Sequence, residues 1–302
     1  MREVRRTLAD GAVCLLLGLA VPLASAHAQA APLTVPGGAL RVSLGAGMAS
    51  WDDVLPGPGE PIALEAAQTT RLDASLGIAL GLSERLTLFG SLPFERYRVQ
   101  AEATDPAVDI PGDRRAGPGD ATAGMALRIA GTPAGAPADG ARLETLVLAR
   151  FPTGRILRSG QYYTLASGDG QTDVEVAARV HLPAGGIGVR LDGSYVLPFG
   201  TTHTGAELDP HFVVAATPWL RLSRRVVLEA GVQQLVREAA DGGSATAVGG
   251  GIAFYAPGGA PDGRTLPIAA SWRVMKVVSS TDAAPEPISV SAGLQLYYGL
   301  FR

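Results

Sequence analysis

The chain has 302 residues, 47% of them hydrophobic and 18% charged, with a formal net charge of −3. Such a balance gives no reason to expect nucleic acid as a partner. Its one cysteine, Cys14, lies near the N-terminus. Arg2, Arg5 and Arg6 form a basic start, Ala12 to Ala20 an apolar run, and Ala24-Ser25-Ala26, Ala26-His27-Ala28 and Ala28-Gln29-Ala30 each a small-x-small pattern. Residues 1–30 therefore read as a cleaved secretory signal peptide, and residues 31–302 as one mature domain. The apolar run is shorter than the roughly 20 residues of a spanning helix, and Pro22 interrupts its end. Setting residues 1–30 aside leaves 22 basic and 26 acidic side chains and no cysteine. The mature domain is then expected to hold no disulfide and no cysteine-based metal site or nucleophile.

Past the signal, no uninterrupted apolar stretch reaches transmembrane-helix length, and the 39 glycines and 22 prolines disfavour helix interiors. Period-2 alternation dominates instead. Leu40, Val42, Leu44, Ala46 and Met48 alternate with Arg41, Ser43, Gly45 and Gly47; Leu72, Ala74, Leu76, Ile78 and Leu80 alternate with Arg71, Asp73, Ser75, Gly77 and Ala79. The pattern continues near residues 86–98, 119–130, 142–151, 172–182, 187–199, 210–221, 225–236, 244–255, 265–278 and 287–301, which makes twelve strands.

Alternation alone does not separate a soluble sandwich from a membrane barrel. Three further features point to an all-β, antiparallel transmembrane β-barrel with up-and-down topology and periplasmic termini. An even number of strands, each about ten residues or slightly longer, suits a tilted membrane span and leaves no edge unpaired in lipid. Connections alternate: Gly81 to Arg85, Pro183 to Gly186 and Leu222 to Arg224 are tight, Gly131 to Gly140 and Ala256 to Gly263 somewhat longer, and those between them often much longer. Trp51, Phe94, Tyr97, Phe151, Phe199 and Phe212 are expected at outer strand ends, and Trp219, Phe254, Tyr255, Tyr298 and Phe301 at inner ends. That puts 11 of the 17 aromatic residues in two interfacial girdles.

Gly81-Leu82-Ser83-Glu84-Arg85-Leu86, Leu92-Pro93, Gly119-Asp120, Pro152-Thr153-Gly154 and the polar, Gly-rich stretch from Ser167 to Asp173 resemble motifs of a known group. On these, the chain resembles the outer-membrane transporter-like barrels associated with meta-pathway phenol degradation. The resemblance covers most of the mature domain through short motifs. It implies an outer-membrane barrel and, as solutes, small aromatic or apolar compounds. Barrels of this kind usually end on a lipid-facing aromatic residue; here Tyr298 and Leu300 keep that parity, and Phe301 is out of phase.

No catalytic, metal-binding or cofactor-binding set is expected. His181, His203 and His211 lack metal-site spacing, and a barrel phospholipase would need a serine and histidine together on the outer surface, with a third group orienting the histidine. The charged parity carries the functional signal. Arg71, Arg128, Arg142, Arg150, Arg179, Arg190 and Arg273, with Asp73, Asp120, Glu144, Asp173, Glu175, Asp192 and Glu229, are expected to line one polar interior. Arg128 is placed near mid-strand and Arg150 nearer the outer mouth. Two readings of that interior stay open: a hydrated, weakly ion-selective pore, or a salt-bridged plug that satisfies itself. The expected partners are outer-membrane lipid, the barrel assembly machinery and a small-molecule solute. The expected function is passive uptake through the cell outer membrane, with a sealed structural or adhesive barrel as the alternative.

Overall fold

In the computed structural model the described residues are 33–52, 64–104, 113–132, 140–154, 156–159, 164–168, 170–202, 207–223, 225–238, 243–256, 268–281 and 288–299. The expected signal peptide and its cleavage point, His203 and Phe301 lie outside them.

The described residues form fifteen strands: β1 (Ala39–Trp51), β2 (Leu64–Gly81), β3 (Leu86–Ala103), β4 (Asp113–Pro118), β5 (Ala121–Gly131), β6 (Arg142–Phe151), β7 (Ile156–Ser159), β8 (Thr164–Ala166), β9 (Thr172–Ala184), β10 (Ile187–Phe199), β11 (His211–Arg221), β12 (Val226–Arg237), β13 (Ser244–Ala256), β14 (Ile268–Ser280) and β15 (Ile288–Gly299). Twelve of them pair antiparallel with sequence neighbours, skipping β4, β7 and β8, and β1 pairs with β15 to close the sheet into a barrel. The closing ladder runs from Ala39 opposite Gly299 to Ser50 opposite Ile288. Every expected strand is present, most within three residues of the expected bounds; β2 begins seven residues before Arg71, and β3 runs five residues past 98. β4, paired on the outer part of β3, and the small β7–β8 hairpin are additions.

Burial is inside out. Leu72, Leu76, Ile78, Leu92, Met125, Val176, Leu191, Val214, Val232 and Val274 are all exposed, whereas Arg71, Glu144, Arg179 and Arg190, on the opposite parity, are among the most buried side chains. Such a surface is stable in contact with lipid, and closure pairs every ladder so that no sheet edge faces hydrocarbon. On β3 the apolar outward row ends at exposed Phe94 and gives way to exposed Arg96 and Arg98, which marks the upper limit of the apolar belt.

The three tightest connections, β2–β3, β9–β10 and β11–β12, all lie at one end, the turn end, and the longest, β6–β9, at the other, the loop end. The sorting is incomplete: β5–β6 and β13–β14 at the turn end are separated by 10 and 11 residues, β12–β13 and β14–β15 at the loop end by 6 and 7. Two of the turns use one device. Ser83 Oγ accepts from the backbone N–H of Arg85 and Leu86, and Ser223 Oγ from Arg225, while Leu82 and Leu222 donate across the turn to Leu86 and Val226.

The aromatic girdles hold in part. Phe94, Phe151, Phe199 and Phe212 at the loop end, with Phe254 and Tyr298 at the turn end, are exposed on the outer face. Trp51, Tyr97 and Trp219 are corrections, because all three are buried on the inward parity. Inside, the Tyr97 hydroxyl and the Trp219 ring find polar company that lipid would not supply: Tyr97 Oη donates to Glu95 at 2.8 Å, and Trp219 stacks on His181 with ring centroids 5.4 Å apart. The side chain of Tyr255 falls outside the described residues.

Candidate functional site: the barrel lumen

Thirteen of the fourteen charged residues read from the sequence sit on inward strand positions. Asp120 lies between β4 and β5, because Pro118 and Gly119 end one strand before Ala121 starts the next. Arg128 departs from its expected place: it is three residues from the turn end of β5, at a register shift, rather than near mid-strand.

On the β9–β14 side the ions form a chain. Arg179 donates to Asp192 Oδ1, Arg190 Nε to Asp192 Oδ2 at 2.9 Å, Arg190 Nη1 lies 3.5 Å from Glu229 Oε1, and Arg273 Nη2 donates to Glu229 Oε2 at 2.6 Å. Arg190 also donates to Thr217 Oγ1. Two carboxylates thus share three guanidiniums, each carboxylate oxygen with its own donor, an arrangement that lets charges leave water at reduced cost. Beside the chain is a cavity of about 80 Å3 whose walls include Leu146, Val196, Val213 and Met275 along with Glu175.

The other side of the lumen is open because its inward residues are small. Ser43, Gly45, Ser75, Gly77, Ser91, Ser271, Ser291 and Gly293 take inward positions on β1, β2, β3, β14 and β15. The cavity there measures about 190 Å3 and is lined by these serines together with Glu95, Asp120, Arg150, Gln295 and Arg273. Glu229 and Arg273 border both cavities. An apolar cavity of roughly 150 Å3 holds a benzene-sized molecule, so the larger space suffices for a small organic solute, and its hydroxyls suit passage of water.

Toward the loop end the lumen narrows. Arg150 Nη1 lies 3.3 Å from Asp173 Oδ2 on the adjacent strand, and Arg71 and Asp73 approach to 3.9 Å. Asp120 Oδ1 accepts the backbone N–H of Gly154 at 2.8 Å, Ser167 donates to Pro118 O, and Thr153 Oγ1 donates to Gly119 O at 2.8 Å. Ser167 and Gln171 are buried, so parts of the long β6–β9 connection fold into the mouth. Gly168 packs directly on the Asp120 carboxylate, where a Cβ would collide.

The turn end holds a feature absent from the sequence reading. Residues 33–35 run inside the barrel, with Thr34 and Val35 fully buried. Thr34 donates to Glu144 Oε1 through its N–H at 3.0 Å and its hydroxyl at 2.6 Å, Leu33 N–H donates to Glu144 Oε2 at 3.1 Å, and Val35 N–H donates to Thr87 Oγ1 at 2.8 Å. Leu33 packs on Ala126, Leu146 and Leu148, and Val35 on Ala39 and Ala79. A turn reverses the chain into β1: Ala39 N–H donates to Pro36 O, and Gly38 takes φ +73°, a conformation that glycine adopts without strain. Glu95, Tyr97, Thr87 and this segment are among the lumen residues that sequence reasoning missed. Glu95 and Tyr97 share the inward parity of the β3 alternation, which is the signal that could have found them.

Among the described residues no group of three or more His, Cys, Asp or Glu side chains could hold a metal ion. His211 begins β11 buried on the inward parity, and His181 lies against Trp219.

No protein-family model matches the sequence, and no curated protein matches it. Among solved structures, the chain is similar to an outer membrane channel from Pseudomonas putida F1, at 16% identity over 89% of this chain and 100% of that one, with a TM-score of 0.63. It is also similar to the translocator domain of the autotransporter NalP from Neisseria meningitidis, at 11% identity over 96% and 99% of the two chains, with a TM-score of 0.54. At these identities the likeness is one of fold: a closed outer-membrane-type β-barrel.

Proposed function

We propose that residues 31–302 form an outer-membrane channel for passive uptake of small solutes, exported by way of the signal in residues 1–30 and working without catalysis or cofactor. The observation that carries this reading is the larger lumen cavity, about 190 Å3, kept open by inward glycines and serines within a barrel whose outside is apolar. A scaffold with no need of a passage would gain by filling that wall with larger side chains, since packed apolar volume stabilises and cavities cost. The likeness to the Pseudomonas putida F1 outer membrane channel supports the same reading. The lumen charges expected from the sequence act here as lining: paired across neighbouring strands, they give the passage weak ion selectivity. The resemblance in the sequence motifs extends the reading to apolar or aromatic solutes, for which the Leu146, Val196, Val213 and Met275 walls offer contact.

The sealed-scaffold reading draws on one observation, the Leu33–Val35 segment inside the turn end. Planar-bilayer recording on the purified mature protein separates the two. Discrete conductance steps, together with solute flux into liposomes, are the expected result; a silent, correctly folded barrel would reject the channel.

A further inference from the structure

We propose that Glu144, Thr87 and the Ala126–Leu146–Leu148 patch form a binding site for an extended apolar peptide segment, occupied here by the chain's own Leu33–Val35, and that Glu144 exchanges this segment for Arg128 when the segment leaves. The site has the parts a peptide needs. Three consecutive backbone N–H groups, of Leu33, Thr34 and Val35, each meet an acceptor on the lumen wall, and the Thr34 hydroxyl shares Glu144 Oε1 with the Thr34 N–H. The Leu33 and Val35 side chains enter apolar clusters on either side. Backbone bonds of this kind supply affinity while alternate side-chain pockets supply selectivity.

The exchange follows from the ladder. Glu144 stands directly opposite Arg128 of β5 on one side and Arg179 of β9 on the other. Arg179 donates to Asp192, and Arg128 Nη1 is buried with no hydrogen-bond partner. Both Glu144 oxygens are taken by the segment instead. A buried guanidinium nitrogen without an acceptor is costly, and so is a buried carboxylate stripped of its donors. Withdrawal of the segment would strip Glu144 of three donors at once, and the cross-strand guanidinium of Arg128 is placed to replace them. The two occupants compete for one carboxylate, so the closed state is held by a difference between two sets of hydrogen bonds and can be shifted by a change on either side. Because Leu33 also borders the smaller cavity, the segment's departure widens that space.

The test uses Val35→Cys in the mature protein, which keeps every backbone donor, with maleimide labelling as the readout of segment withdrawal. Heat-modified gel mobility checks folding of each variant. Thr87→Val removes an acceptor from the closed state alone and should speed labelling about tenfold, one hydrogen bond's worth. Arg128→Ala removes the competitor and should slow labelling by a similar factor. In a Glu144→Gln background Arg128→Ala should change nothing further, since the coupling passes through that carboxylate. Faster or unchanged labelling in Arg128→Ala overturns the exchange, and unchanged labelling in Thr87→Val overturns the site. The inference rests on the channel reading only for its consequence: if labelling follows this pattern while no variant carries current, the channel reading falls and the peptide site stands.

Discussion

Arg273 on β14 reaches Glu229 on β12 across the intervening strand, with Nη2 2.6 Å from Oε2. It can do so because the residue between them in the ladder, on β13, is Gly251, which has no side chain to block the guanidinium. Glu229 in turn anchors Arg190 from the other side. Replacing Glu229 with Gln should take away the carboxylate that Arg273 donates to and leave Arg190 with Asp192 where it had two carboxylates. We expect a loss of about 3 kcal/mol in barrel stability and a shift toward anion preference. Thermal loss of heat-modified mobility measures the first and reversal potential in a salt gradient the second; unchanged values in both would mean the pair is neither structural nor exposed to permeating ions.

Gly251 itself gives a sharper prediction. A Cβ there would lie 2.6 Å from the Trp272 carbonyl oxygen and 3.4 Å from Arg273 Cβ. Backbone cannot yield as a flexible side chain does, so Gly251→Ala should cost about 1–3 kcal/mol and displace Arg273 from Glu229. With both charges kept but unpaired from each other, its reversal potential should move from the native value, which a purely local strain would not produce.

Asp120 ties the loop-end mouth together through Gly154 and the close packing of Gly168. Removing the carboxylate with Asp120→Ala takes away a charge-assisted hydrogen bond of about 1.5–3 kcal/mol and frees the β6–β9 connection from the mouth. Limited proteolysis should then cut within residues 152–171 faster than in the native barrel, and mean conductance should rise. Equal cleavage rates would show that the Ser167 and Thr153 bonds hold the connection alone.

Strand positions and the inward parity were legible because a side-chain period of two is local and a barrel imposes it along nearly its whole length. Arg179, Asp192, Arg190, Glu229 and Arg273 could be assigned to the interior from that parity alone; that they form one chain depends on register between β9 and β14, which no single strand encodes. Trp51, Tyr97 and Trp219 were misplaced because an aromatic residue at a strand end suits an interfacial girdle by type, while its parity places it inside. Parity is the stronger constraint, since crossing to the other face would need a bulge. The Leu33–Val35 segment was illegible for a different reason. It has no periodicity of its own, and its partners Glu144 and Thr87 lie 110 and 52 residues away from Thr34 and Val35.

Arg150 offers the most direct probe of the lumen field. It sits near the loop end of β6, buried, with Asp173 as its ion partner at 3.3 Å, and it lines the larger cavity beside Asp120 and Glu95. Arg150→Ala removes the positive member of that group and leaves Asp173, Asp120 and Glu95 without it, so the local potential becomes more negative where an entering ion first meets the narrowed mouth. Cation preference should rise, and the effect should shrink as salt is raised toward molar, because screening shortens the reach of these charges to about 3 Å. Arg128→Ala, at the turn end, should act mainly through the Leu33–Val35 segment and change how often the channel opens more than which ion it prefers. A planar-bilayer comparison of the two variants at low and high salt checks both statements. If Arg150→Ala alters neither conductance nor reversal potential while lowering the unfolding temperature, Arg150 serves the wall and not the passage.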